Sequence, residues 1–249
     1  AALSRLQEST GREIVLSLEP EPFSTSETTE ELVEFVEGEL LGAPDGDRDR
    51  RMLLDASRAE GALRRFLGVC FDTAHLAVQF EDLPASVEVL RRSGLRVGKV
   101  QISNALEVPS PARNPSARAA LQRFDEPRYL HQVVGRLPHG GRVRALDLSG
   151  VASPTPEWLA AEAWRSHVHV PIHLESIGAL RTTRSDLEAA LEAMVGAGEG
   201  GDFEIETYTW DVLPEEERRT AMGGSLVDSL EREFRFALEF LGGLGYRPA

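Results

Sequence analysis

The sequence predicts an α/β protein built around parallel strands. Stretches of strand and helix character alternate roughly five times along the chain. No linker or low-complexity segment interrupts that alternation, so residues 1–249 read as a single domain. Acidic, histidine and amide side chains gather where the strands end, which is where parallel α/β folds build their sites.

Each element has its own local cause. Ile14 to Glu19 is apolar and β-branched between Gly11 and Pro20, and reads as a buried strand. Ser26 or Thr28 can cap a helix with Glu30 and Glu31 in its first turn and Leu32, Phe35, Val36 and Leu40 on one face. Gly42 to Asp49 is a loop, and a second helix is predicted over Arg51 to Phe66. Gly68 to Asp72 is the next strand, Pro84 to Arg92 a short helix stopped by Gly94, and Val97 to Ile102 a third strand. Pro109, Pro111 and Pro115 then break the pattern. The irregular stretch that follows holds Tyr129-Leu130-His131 and Val143 to Leu148, the makings of an extra hairpin. Glu157 to Trp164 reads as helix and His167 to Ile172 as strand. Ser185 with Glu188 reads as a capping box opening another helix. Asp202 to Tyr208 is the last strand, and Ser225 to Leu241 an amphipathic helix ended by Gly242.

Composition narrows the function. The chain has 41 acidic and 27 basic residues and a formal charge of −14. That balance argues against binding nucleic acid or an anionic membrane surface. Cys70 is the single cysteine, which excludes an internal disulfide and suits a reducing, cytoplasmic setting. No apolar run reaches the roughly 18 residues that a membrane span needs, and no signal-peptide pattern opens the chain.

The chemistry-bearing residues follow the strand period. Glu19 and Glu21 each precede a proline, which holds them extended and on one side of the chain. Two carboxylates there are costly without a cation or donors. Asp72 and His75 face opposite ways in a straight strand but converge if the chain turns after Asp72, giving a pair suited to a divalent metal; the plainer reading is a capping Asp72 with His75 packed nearby. Lys99, Gln101 and Ser103 share a strand face, a polar interior or a site, with a satisfied core glutamine equally compatible. His167 and His169 share a face about 7 Å apart by strand rise, a metal signal of moderate specificity. Glu206 lies toward the tip of the last strand, and Glu204 below it can neutralise Lys99. Glu19, Asp72, His75, His169 and Glu206 are the candidate metal ligands, with Glu19 and Glu206 also the candidate catalytic carboxylates. Lys99, Gln101, His167 and Glu21 are the candidate substrate contacts.

In order and type, these residues resemble the xylose-isomerase-like barrel superfamily, which includes sugar isomerases, epimerases and endonuclease IV-type enzymes. The phrases LEPEP, GVCFDTAHLAVQFED, KVQISNAL, YLHQVV, HVHVPIHLE and EIETYTWDVLP look like its EboE-type metabolite traffic branch and span nearly the whole chain. The resemblance implies a partial (β/α)8 barrel, about its last five β/α units, with the first three strands preceding Ala1. It leaves open edges at Ile14 to Glu19 and at Phe203 to Tyr208. It also implies a divalent ion (manganese, magnesium or zinc), a small sugar- or cyclitol-like metabolite, and partner proteins from a prenyltransferase-linked export cluster. Gln101 stands where the family has histidine, and His167 where the endonucleases have aspartate. Three activities follow as expectations: metal-dependent isomerisation or epimerisation first, then a non-catalytic metabolite-binding or export role, or metal-dependent phosphoester hydrolysis.

Overall fold

The computed structural model describes residues 2–41, 56–199, 201–207, 210, 213–220 and 225–247. β-Branched and apolar runs form a parallel sheet of β1 (Leu16–Leu18), β2 (Leu67–Asp72), β3 (Arg96–Ile102) and β10 (Asp202–Ile205), in the order β1-β2-β3-β10. Register places Asp72 beside Gln101, and Gln101 beside Glu204. The pleat sends alternate side chains to opposite faces. One face, with Val69, Phe71, Val100, Ile102, Phe203 and Ile205, packs into an apolar cluster with the helices. Those helices include α2 (Thr29–Glu34), α5 (Leu83–Ser93), α8 (Arg184–Ala197) and α10 (Leu226–Gly243). Phe71, Val100, Leu187 and Leu191 are fully buried, each contributing roughly 1.5–3 kcal/mol. The other face carries Cys70, Asp72, Lys99 and Gln101, and is polar.

Residues 106–182 form a second sheet. Here β4 (Leu106–Pro109), β5 (Val133–Arg136), β6 (Arg142–Ala145), β7 (Ala163–Ser166), β8 (Ser176–Ile177) and β9 (Leu180–Thr182) pair antiparallel in the order β6-β5-β7-β4-β9-β8. A separate core fills it, with Leu106, Leu121, Val133, Leu148, Trp158 and Trp164. Trp158 and Trp164 meet edge to face at 5.4 Å, and Trp164 Nε1 donates to the Trp158 carbonyl at 2.8 Å.

Several sequence expectations need correction. Ile14 and Leu16 are 47% and 59% exposed, so the first strand is a short outer strand instead of a buried one. The apolar run Glu157–Trp164 divides: α7 (Pro156–Leu159) ends early, and Trp164 belongs to β7. Residues 167–172 are not a strand, so four described strands, not five, form the parallel sheet. Their backbone bonds go elsewhere: His167 N donates to the Gln132 carbonyl and Val170 N to the Asn104 carbonyl. Ser185 does not open its helix. α8 starts at Arg184, one residue before it, and Glu188 accepts from the Arg184 side chain. The extra hairpin exists as β5 with β6, but Tyr129 to His131 lie ahead of it. The loop Gly42 to Asp49, residues 51–55 of the second helix and Tyr208 lie outside the described residues; α3 is Ala56–Phe66. Among the described residues, β1 and β10 are the outer strands of an open sheet, and no helix is long and apolar enough to cross a membrane.

Candidate metal centre

The first ligand candidate is placed by a cap. β2 ends at Asp72, and α4 (Thr73–Val78) begins at once, with Asp72 Oδ1 accepting from His75 N at 2.8 Å. That single turn brings the His75 ring back over the strand tip, where Nδ1 lies 3.9 Å from Asp72 Oδ1. Capping and site geometry are therefore one arrangement. Ser103, just past β3, donates its hydroxyl to the same Asp72 oxygen at 2.7 Å. Asp72 Oδ2 is buried and has no hydrogen-bond partner.

Glu19 follows β1 and stands at the rim, its Oε1 3.2 Å from His75 Nδ1. The Pro20 carbonyl lies at the same distance from that nitrogen. Glu21 is further out, 4.0 Å from His167 Nδ1. On β3, Gln101 accepts from the Cys70 thiol at 2.8 Å, and Lys99 pairs with Glu204. Both lie on the polar face beneath the strand tips. Glu206 follows β10, and its Oε2 is buried without a hydrogen-bond partner.

His167 and His169 arrive from the second sheet, at the end of β7. Both are buried, at 5% and 0% exposure. His167 Nδ1 faces Gln132 Oε1 at 2.9 Å, and His169 Nδ1 faces the Glu206 carbonyl at 3.0 Å. Each Nδ1 meets an acceptor and so carries the hydrogen, which leaves the lone pair of a neutral ring on Nε2. The two Nε2 atoms lie 3.1 Å apart. Two lone pairs at that distance repel unless a proton or a cation lies between them. With metal–nitrogen bonds of about 2.0–2.1 Å, neighbouring ligand nitrogens stand roughly 3.0–3.4 Å apart.

Burial and neighbouring charges set how these groups hold protons. Burial, with the charge of His75 next, holds His167 well below the usual imidazole range. Burial also lowers His169 against the pull of Asp72. For His75 burial acts downward too, but the Asp72 and Glu19 carboxylates outweigh it and lift the ring to about 9. Burial would raise Asp72; the facing His75 and His169 rings and its hydrogen bonds from His75 N and Ser103 hold it below the usual carboxylate range. Burial, then the Asp72 charge, push Glu206 up to about 8.

Three overlapping groups result: His75 with His167 and His169, Glu19 with Asp72 and His75, and Asp72 with His169 and Glu206. In each, one ligand atom per residue lies within 4.8 Å of the others. These groups can hold a metal ion. The structure thus brings all five sequence-predicted ligands together and adds His167 to them, while Lys99, Gln101 and Glu21 stay at the margins. Sequence reasoning missed Ser103 as the partner of Asp72 and Gln132 as the partner of His167. Ser103 shares a strand face with Gln101 and was within reach of the pattern, whereas Gln132 comes from a segment with no strand-tip signal. Compared with protein-family models, curated proteins and solved structures, the chain matches none.

Proposed function

We propose that this chain is part of a (β/α)8-type barrel enzyme that isomerises or epimerises a small sugar- or cyclitol-like metabolite with a divalent ion. The observation that carries the reading is the facing pair of buried Nε2 atoms, with the Asp72 and Glu206 carboxylates grouped around His169. Glu19, Asp72, His75, His169 and Glu206 would hold the ion, joined by His167. Mixed oxygen and imidazole donors suit manganese, magnesium or zinc. Bound there, the ion would polarise adjacent carbonyl and hydroxyl oxygens of the substrate as a Lewis acid.

The chain's own groups supply the proton transfer. Glu206 is the first candidate base, taking or returning a proton at the carboxylate oxygen that the ion leaves free. Glu19, at the rim, is the second candidate base. Lys99, Gln101 and Glu21 bound the space around the ion as substrate contacts. The strand-tip location and the four parallel strands support the barrel reading. Resemblance alone supports a place in metabolite traffic beside a prenyltransferase-linked export system, and the lone, buried Cys70 accords with a cytoplasmic location.

A second reading has one observation behind it. The candidate ligands fall into three overlapping groups, and multi-ion clusters are a common arrangement for metal-dependent phosphoester hydrolysis. The charge of −14 opposes a DNA substrate for that chemistry.

The test is metal analysis followed by turnover in D2O with aldoses, ketoses and cyclitols. Proton transfer next to a carbonyl incorporates solvent deuterium, and Glu206→Gln is expected to lower incorporation at least a hundredfold. A protein that binds no divalent ion sinks the reading. Bound ion and bound metabolite with neither product nor deuterium incorporation would leave a carrier.

A further inference from the structure

We infer a second, structural cation site at the base of the β5–β6 hairpin, formed by Asp125, His131 and Asp147. It shares no residue with the centre above and does not depend on the activity proposed for that centre. Asp125 follows α6 (Pro115–Gln122), His131 immediately precedes the hairpin's first strand region, and Asp147 follows its second. One ligand atom from each lies within 4.8 Å of the others.

His131 is the independent sign of a ligand. Its residue is 2% exposed, and its Nδ1 has no hydrogen-bond partner. Asp147 Oδ1 stands 3.4 Å from that nitrogen but is already engaged by two backbone donors, His131 N at 3.0 Å and Leu148 N at 2.9 Å. On the other side of the ring, Glu126 Oε1 lies 3.6 Å from Nε2. Glu126 is itself fixed, accepting from Tyr129 N at 2.8 Å and Arg128 N at 2.9 Å. The ring thus lies between two carboxylates, Asp147 on its Nδ1 side and Glu126 on its Nε2 side. An ordinary ion pair would align an N–H with a carboxylate oxygen, and neither ring contact here is a hydrogen bond. One imidazole and two carboxylates, with Asp125 exposed to water, suit zinc or manganese.

The position gives the ion a purpose. Gln132, next to His131, meets His167 at 2.9 Å and reaches the Pro22 carbonyl. A cation that ties the hairpin base to the end of α6 holds the segment that orients His167. It is a clamp, not a catalyst.

Zinc binding by the full chain tests it, read by bound equivalents after desalting and by the zinc-induced rise in melting temperature. Asp125→Asn/Asp147→Asn keeps the Oδ1 acceptor for the backbone, so the fold should persist in chelator. It should lose one equivalent, or bind it at least tenfold more weakly. Asp72→Asn/His169→Asn should lose the ion of the other centre and keep this one, which separates failure here from failure of the proposed function. Unchanged equivalents and an unchanged zinc-induced shift in the Asp125/Asp147 variant would overturn the inference. Should that variant unfold, Asp125→Asn alone, at an exposed position, must still weaken one equivalent.

Discussion

Asp72 does two jobs with two oxygens. Oδ1 caps α4 and takes the Ser103 hydroxyl, while buried Oδ2 is left over. Asp72→Ala should therefore cost about 1–3 kcal/mol in chelator. Asp72→Asn should recover most of that, yet both should weaken ion binding tenfold or more; urea unfolding and calorimetric titration measure the two effects separately. His173 gives a cleaner pH test. Burial, then the nearby Arg232 and Arg184 charges, hold its ring down to about 4. The unfolded chain titrates near 6.5, so between those values it binds more protons than the folded chain. The contribution of His173 to stability must then fall as pH drops from 6.5 toward 4. His173→Asn should flatten that part of the urea-midpoint profile, and an unchanged slope would refute the assignment. Of the site itself, Glu19, Asp72 and Glu206 were legible because each follows or ends a strand, whereas His169 was picked out from an expected strand that the structure does not form. Gln132 was not, because its role exists only once the second sheet brings it to His167.

Elements were readable wherever local pattern and tertiary context agree. β2 and β3 are apolar runs buried among helices, and both stand where the alternation puts them. The failures concentrate between residues 103 and 183. There, strands of two to four residues are shorter than the window in which a period can be recognised. Trp164 sits in such a strand after an apparently helical run, and pairing between β4 and β5 together with packing on Trp158 explains the choice. Gly135 of β5 shows how tight that packing is. A Cβ there would lie 2.7 Å from Val143 Cγ2 and 3.2 Å from both tryptophans. Gly135→Ala should cost about 1–3 kcal/mol by overpacking, read as a lower urea midpoint. An unaltered midpoint would mean that the hairpin packs more loosely on the tryptophan pair than these distances state.

At the scale of the molecule, two opposing properties decide how the chain behaves in solution. The parallel sheet is open at β1 and β10 among the described residues. Both borders carry exposed apolar side chains: Ile14 and Leu16 at β1, and Phe234 and Leu238 of α10 beside β10, in a groove of about 680 Å³ with Phe203 and Tyr246. Unpaired outer strands with apolar flanks invite pairing with another chain. The charge of −14 works against it, since like-charged copies repel. Repulsion between solvated charges is screened over about 8 Å at physiological salt and 3 Å at 1 M, whereas apolar contact is not weakened by salt. Self-association should therefore increase with ionic strength, opposite to an association driven by ion pairs. Leu16→Lys places a charge on the β1 border and should lower the apparent mass in light scattering at high salt, with little change at low salt. If the mass of the variant rises with salt as steeply as that of the native chain, the β1 border is not where copies meet, and the groove along β10 becomes the surface to alter.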